Sequence, residues 1–540
     1  MPGMTDKAAP VNQAVASSVE PGSPLGNKQY RELWSANAAS NFGGQVQVVG
    51  ASWLMASLTA SPQLIALVQG ASSLGTVLVI LFGGALADNY DRRRIMLFMQ
   101  TAMLVSAAVL AALTWTGHIS PWLLLALTLT ISALGSINNP AWQASIRDLL
   151  PRAMISRAVA LNSMSINLAR TAGPALGGAI VALGGAAAAF ALNALSFVGF
   201  LLALLRWRPA RIERTTPRER LLPAMAAGVR YVALAPNVRN ATVRGGLSGL
   251  AASAVFALLP VVARQEMQGN ALVFGLLLAA FGFGAVFSAY AGGRLRSRFT
   301  PDQVVRIAAG GLILGPLLLA LAPNVWIAGL GAALAGAGWT LTHSTYNTTV
   351  QLSASPWVTA RSLATYQTAT FAGMAAGSWL FGWVAEHHGT GTALLAASAG
   401  QVIAALAGLA LPLPRLEDLQ VDPLVGRRTP DLAEPVDPEA GPVRVEIEYR
   451  VMPENWPDFQ AAMAARSRIR KRDGARNWAL WQDLAERTRW IESYRVATWA
   501  DYLRHIARRT EADRENHEAL VAFDTSAGGP TARRYIGHID

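Results

Sequence analysis

The stretch Gly83-Gly84-Ala85-Leu86-Ala87-Asp88-Asn89-Tyr90-Asp91-Arg92-Arg93-Arg94 sits between two long apolar runs, Gln63 to Leu86 and Ile95 to Trp115. Glycines let two helices approach closely where the chain reverses, and arginines hold such a loop on the cytoplasmic side of a bilayer. Asp88 can pair with an arginine or with the positive N-terminus of a neighbouring helix. A pair of that kind can break and re-form as helix bundles rock. Gly84, Asp88, Arg92 and Arg93 are therefore the candidate conformational gate, with an ordinary basic loop as the other reading.

Composition points the same way. Of 540 residues, 52% are hydrophobic and only 14% charged, and the mean hydropathy is +0.31. A soluble protein would carry about a quarter charged residues. Apolar runs of membrane-crossing length recur through the first three-quarters of the chain. The net charge of +12 does not indicate nucleic acid, because many arginines sit in short loops on alternate sides of these runs. With no cysteine, disulfides, cysteine-ligated metal and thiol catalysis are excluded.

The pattern predicts a polytopic α-helical membrane protein with about twelve spans, at 33–57, 63–86, 95–116, 121–146, 158–184, 187–206, 240–263, 271–291, 303–322, 325–350, 361–385 and 391–412. Arg92, Arg93, Arg94, Arg147, Arg152, Arg157, Arg294, Arg296, Arg298 and Arg361 fall on one side, and Arg264 alone on the other. The positive-inside rule then places both termini in the cytoplasm. Residues 1–27 read as a disordered cytoplasmic tail, 28–206 and 240–412 as six-helix halves, and 207–239 as a cytoplasmic central loop. Within that loop, 219–234 is either a surface helix or a solvated linker.

An internal repeat supports the division. Gly173, Leu176 and Gly178 follow Arg157 at the offsets at which Gly377, Leu380 and Gly382 follow Arg361. Gly83-Gly84 and Gly292-Gly293 each open a basic loop, with Ser297 replacing the acid in the second.

Inside the spans, Gly173 allows close helix packing and Pro174 allows a bend. Arg170 lies roughly 20 Å beyond Arg157 along the helix, deep enough to require an interior cavity or a partner. It is either a counter-ion for an anionic substrate, a gating partner, or a cap on carbonyls of a broken helix. Candidates for a substrate cavity are Gln45, Gln47, Asn138, Asn139, Gln143, Asn162 and Asn167, with His343, Tyr346, Asn347 and Tyr366 in the second half. Each is alternatively helix-to-helix glue. No Asp or Glu stands clearly at mid-membrane depth, so proton coupling has only His343 as a visible relay.

The loop resembles the major facilitator superfamily signature Gly-x-x-x-Asp-Arg-x-Gly-Arg-Arg, with Gly84, Asp88, Arg92 and Arg93 matching; Asn89 and Asp91 depart from it. That resemblance implies two six-helix halves and transport by alternating access. Arg170-Thr171-Ala172-Gly173-Pro174-Ala175-Leu176-Gly177-Gly178 resembles the Gly-Pro-x-x-Gly-Gly element of exporters. Tyr30-Arg31-Glu32-Leu33-Trp34, Ser40-Asn41-Phe42-Gly43, Ser52-Trp53-Leu54 and Leu58-Thr59-Ala60-Ser61-Pro62 resemble the branch of enterobactin exporters and macrolide-efflux permeases. This implies efflux of a small hydrophobic or siderophore-like compound, without a cofactor. Gly44-Gln45 stands where the branch often has an acid, which leaves the coupling open.

Residues 413–442 read as a linker. From 443 to 540, alternation and periodicity predict the order β-α-β-β-α-β, a cytoplasmic ferredoxin-like α+β domain. Arg489-Trp490-Ile491-Glu492-Ser493-Tyr494 and Thr498-Trp499-Ala500-Asp501-Tyr502-Leu503-Arg504-His505 resemble dimeric α+β barrels related to antibiotic-biosynthesis monooxygenases. Glu492 shares a strand face with Trp490 and Tyr494 and is a candidate to point into a pocket; His505 and His517 are expected on exposed helices. A homodimer through 443–540, a ligand sensor, an inert appendage and a cargo-oxidising enzyme all stay open. No metal or nucleotide signature is present. The expected partners are a small-molecule substrate, the lipid bilayer and, through coupling, protons.

Overall fold

The computed structural model describes residues 23–207, 221–415, 434–508 and 510–537; the side chains of 83–89, 152, 221–224 and 512 lie outside that description. The expectation for the N-terminal tail therefore falls largely outside the described residues, as do parts of the central loop and the linker. So does the Asp88 side chain.

The helices are α1 (Lys28–Leu58), α2 (Pro62–Asn89), α3 (Arg92–Trp115), α4 (Pro121–Leu149), α5 (Ile155–Arg206), α6 (Leu221–Leu234), α7 (Pro236–Val261), α8 (Ala271–Arg296), α9 (Pro301–Leu321), α10 (Val325–Ser353), α11 (Thr359–His388) and α12 (Thr390–Ala410). Among the described residues, nine helices are long and apolar enough to cross a membrane. Helices α1 and α11 are as long but more polar. Starts are set by local chemistry: Ser120, Asn270 and Asn324 each cap a helix N-terminus, and Thr300 forms a reciprocal box with Gln303.

Helix α5 runs for 52 residues, twice a membrane length, and its one non-helical interior residue is Gly185, at φ 71° and ψ 176°. That left-handed conformation is natural only to glycine. The expected loop near Gly185 is thus a single-residue reversal. Pro174, by contrast, is buried in an unbroken stretch of α5. The chain stays helical through the proline, whose missing N–H costs one ladder bond.

Small residues bring the helices together. A Cβ added at Gly178 would lie 2.6 Å from the Gly275 Cα, so α5 and α8 touch backbone to backbone; one added at Gly382 would lie 2.8 Å from the Ala66 Cβ, where α11 crosses α2. Helix α7 is the innermost span, with 78% of its apolar window buried against 28% for α3. One apolar core joins residues of both halves, including Val49, Ile65, Phe190, Leu258, Phe274 and Phe381. At the arginine-bearing end the core divides, with Tyr30, Met96, Trp142 and Phe200 in one cluster and Tyr231, Val305, Tyr346 and Tyr366 in another.

Beyond the spans lie β1 (Val443–Arg450), α13 (Trp456–Arg472), β2 (Arg476–Gln482), β3 (Arg489–Val496), α14 (Trp499–Ala507), α15 (Ala512–Ala522) and β4 (Thr531–Ile536). The sheet order is β2-β3-β1-β4, all antiparallel, with Val445 opposite Tyr494 and Ile447 opposite Glu492. Alternate residues of β1, Val443 to Tyr449, face a core with Phe459, Met463 and Leu520.

Candidate functional site

Helices α1, α3, α4 and α5 enclose a cavity of about 350 Å³, whose lining includes Gln45, Gln47, Asn138, Asn139, Asn162 and Arg170. Six of the sequence candidates thus converge. Arg170 lines this cavity from α5. Gly173, one turn on, lets α5 approach α1: a Cβ there would meet the Gln45 Cβ at 2.6 Å.

The amides divide into partnered and free. Asn162 Oδ1 accepts from Trp142 Nε1 at 3.0 Å and from Asn37 Nδ2 at 3.4 Å, and Asn193 Nδ2 donates to Gln47 Oε1. These hold helices together. Asn41 Nδ2, Gln100 Oε1 and Asn138 Oδ1 are enclosed without a partner among the described residues. An unpaired amide in an apolar wall costs on the order of 1–3 kcal/mol, which a bound polar molecule would offset. Asn37, Asn41, Gln100 and Asn193 were not among the sequence candidates. Gln100, a lone amide deep in an apolar span, carried the signal.

Not every candidate converges. Gln143 is exposed and donates to Asn139 Oδ1 at 3.2 Å, and Asn167 is exposed on α5. Asn347 accepts from Gln351 Nε2 at 2.6 Å. Tyr346 is buried, with the Arg244 guanidinium 5.5 Å from its ring centre. In the second half, Tyr366 Oη is 2.9 Å from His343 Nδ1, and the Trp339 ring stacks on His343 at 5.4 Å.

Opposite the arginine-bearing end, the halves are latched. Ser61 Oγ donates to Glu386 Oε2 at 2.6 Å and the Gln63 N–H donates to the same oxygen at 3.1 Å, so a carboxylate of α11 caps α2. Gln265 Nε2 donates to the Ala60 carbonyl at 3.0 Å, and Arg264 lies 5.5 Å from the Trp53 ring centre. The one basic residue on this side therefore belongs to the closure.

At the other end, Arg92 donates to both oxygens of Asp148 at 2.9 Å, and Arg93 to the carbonyls of Leu204 and Leu205. Asp91 caps α3 by accepting from the Arg94 N–H.

A family model described as transmembrane secretion effector matches residues 19–540. The chain belongs to the transmembrane secretion effector family. This family is a branch of the major facilitator transporters, and the match runs on through the sheet. The enterobactin exporter EntS of Salmonella typhimurium is 30% identical over 275 residues, 51% of this chain and 64% of that exporter. EntS of Escherichia coli O1:K1 is 30% identical over 260 residues, 48% and 61% respectively. The chain thus spans somewhat less than two thirds of these relatives.

Solved structures show the same fold at low identity. A bacterial homolog of the human lysosomal transporter Spinster, inward-facing and unoccupied, has a TM-score of 0.58 at 14% identity, covering 72% of this chain and 98% of its own. A D-xylose–proton symporter has a TM-score of 0.56 at 16% identity, covering 72% and 98%.

In the C-terminal sheet, Glu492 is fully buried. Arg470 Nε donates to its Oε1 at 2.8 Å, Trp478 Nε1 at 3.0 Å, and Tyr449 Oη to Oε2 at 3.4 Å. Burial alone would raise its pKa, but the charges of Arg470 and Arg466 and these hydrogen bonds hold it at about 2. His505 departs from expectation: it is 1% exposed, with Nε2 3.3 Å from Arg470. Burial and that neighbouring charge push it down to about 3, so it is neutral. Its exposed appearance in sequence came from the polar residues around it; α14 turns it inward beside Tyr494.

Proposed function

We propose that this transporter exports a small, oxygen-rich hydrophobic or siderophore-like compound by alternating access, taking it from the cytoplasm of a cell with both chain termini inside. The observation that carries the reading is the amide-lined cavity with Arg170, in a bundle joined by the Ser61–Glu386 contact at one end and with a divided core at the other. On the orientation given by the positive-inside rule, this supports a state open towards the cytoplasm. The 30% identity to enterobactin exporters supports efflux; Arg170 is then the counter-ion for an anionic cargo, and Asn41, Gln100 and Asn138 the free polar contacts.

On this reading the polypeptide crosses the inner or plasma membrane twelve times, counting α5 as two spans and including α1 and α11. Gly84, Asp88, Arg92 and Arg93 form the cytoplasmic gate. Gly173 and Pro174 are packing residues beside Arg170, and the His343–Tyr366 pair is the proton relay. The sheet order and the element order support a ferredoxin-like tail, with its uncovered face free for a second copy. Glu492, bound on both oxygens, supports a structural rather than catalytic role in it.

Accumulation of catecholate siderophores, macrolides and lipophilic cations in inside-out vesicles tests the proposal. Uptake driven by an acid-inside gradient and abolished by uncoupler is expected, and Arg170→Gln should lower it at least tenfold for anionic cargo. Equal uptake of anions by wild type and Arg170→Gln would remove Arg170 from the site.

A further inference from the structure

In the second glycine-led basic loop, no carboxylate among the described residues meets an arginine. In the first, Arg92 meets a carboxylate and Arg93 two carbonyls. In the second, Arg296 reaches only neutral oxygens, the Gly292 carbonyl at 3.1 Å and Ser344 Oγ at 3.3 Å. Arg294 lies 4.9 Å from the Tyr290 ring centre. Asp302, at the start of α9, is already engaged by Arg244 and by the Leu413 N–H.

Beside this loop is a cavity of about 280 Å³ whose lining includes Arg296, Arg298, Arg415, Ser297, Thr345 and Thr348. No acidic residue lines it among the described residues. Three arginines around one small volume suit a tetrahedral oxyanion, since the planar guanidinium fork matches phosphate oxygens; of the lining hydroxyls, Ser297 and Thr345 already donate to the Arg294 and Leu341 carbonyls. Phe283, Phe287 and Tyr290 recur on one face of α8 at 67%, 62% and 71% exposure and lead along the helix towards this end. Exposed aromatic surface on a membrane span contacts acyl chains, and juxtamembrane arginines attract anionic headgroups.

We propose that this cavity binds the phosphate headgroup of an anionic phospholipid, at the arginine-bearing face of the second half. Inorganic phosphate shares the headgroup chemistry; the exposed aromatic stripe on α8, the helix that ends at the cavity, favours the lipid. The anion supplies in the second half the negative charge that Asp148 supplies to Arg92 in the first.

The full-length protein in neutral detergent is titrated with phosphatidylglycerol and, separately, with inorganic phosphate. Lipid retained is read by native mass spectrometry and protein stability by thermal unfolding. Wild type should retain phosphatidylglycerol and unfold at higher temperature with it. Arg298→Gln and Arg415→Gln should each weaken retention roughly fivefold, whereas the exposed Arg147→Gln in the first half should not. Both tested arginines are exposed, so their lipid-free unfolding temperatures should match wild type. Stabilisation by inorganic phosphate without lipid retention would overturn the lipid as occupant. Equal retention by wild type and the double variant, with no response to phosphate, would overturn the site.

Discussion

Glu492 and Arg470 are a buried pair whose partners are all within the domain, so the consequence of breaking it is larger than the worth of making it. Glu492→Gln should destabilise the sheet domain by about 3–5 kcal/mol, because Arg470 stays charged and enclosed. Replacing both by apolar residues should recover most of that loss. Unfolding of both variants followed by tryptophan fluorescence checks this, since Trp478 and Trp490 report on the region. His505 adds a pH dependence of defined sign. Its folded-state pKa of about 3 lies below the ordinary 6.5, so the unfolded chain takes up a proton that the folded one refuses. Its contribution is complete above pH 6.5 and lost as pH falls towards 3, at about 1.4 kcal/mol per pH unit. His505→Asn should flatten that slope in urea unfolding; an unchanged slope would mean that His505 is not held neutral. Strand alternation in the sequence placed Glu492 on the inner face. Nothing local could show that Arg470, 22 residues earlier, would reach it.

At the scale of elements, α5 carries the most. Its small residues were readable as a packing surface, but the surfaces they meet were not. Gly173 faces α1 and Gly178 faces α8, and those assignments follow from how the helix is rotated in the bundle. Gly178→Leu should force α5 from α8 and destabilise the protein by about 1–3 kcal/mol. A substitution at Gly199, which meets nothing within 4 Å, should be tolerated; equal thermal unfolding of the two variants would contradict the contact. The chain reverses at Gly185 but stays helical through Pro174. Proline removes one hydrogen bond, whereas the positive φ at Gly185 redirects the whole chain.

For the molecule as a whole, the latch opposite the arginines is the testable feature. The native chain has no cysteine, so Ser61→Cys with Glu386→Cys gives a clean pair for a short thiol cross-linker. Cross-linking should stop transport almost completely, and reduction should restore it. Transport that persists after quantitative cross-linking would mean that these residues need not part, and alternating access through this end would fail.

The sequence by itself determined the membrane setting, the positions of the helices to within a few residues and the strand–helix order of the tail. These follow from hydropathy, loop charge and periodicity, which act over one or two turns. Only the tertiary structure decided which amides share a cavity, that Gln143, Asn167 and Asn347 lie apart from it, and that Glu386 caps a helix of the opposite half. It also brought Arg296, Arg298 and Arg415 around one cavity with no carboxylate in its lining among the described residues. Those relations join residues up to 325 positions apart, and they depend on helix rotation and crossing, which hydrophobic pattern constrains only loosely in a membrane where several faces of each helix are apolar.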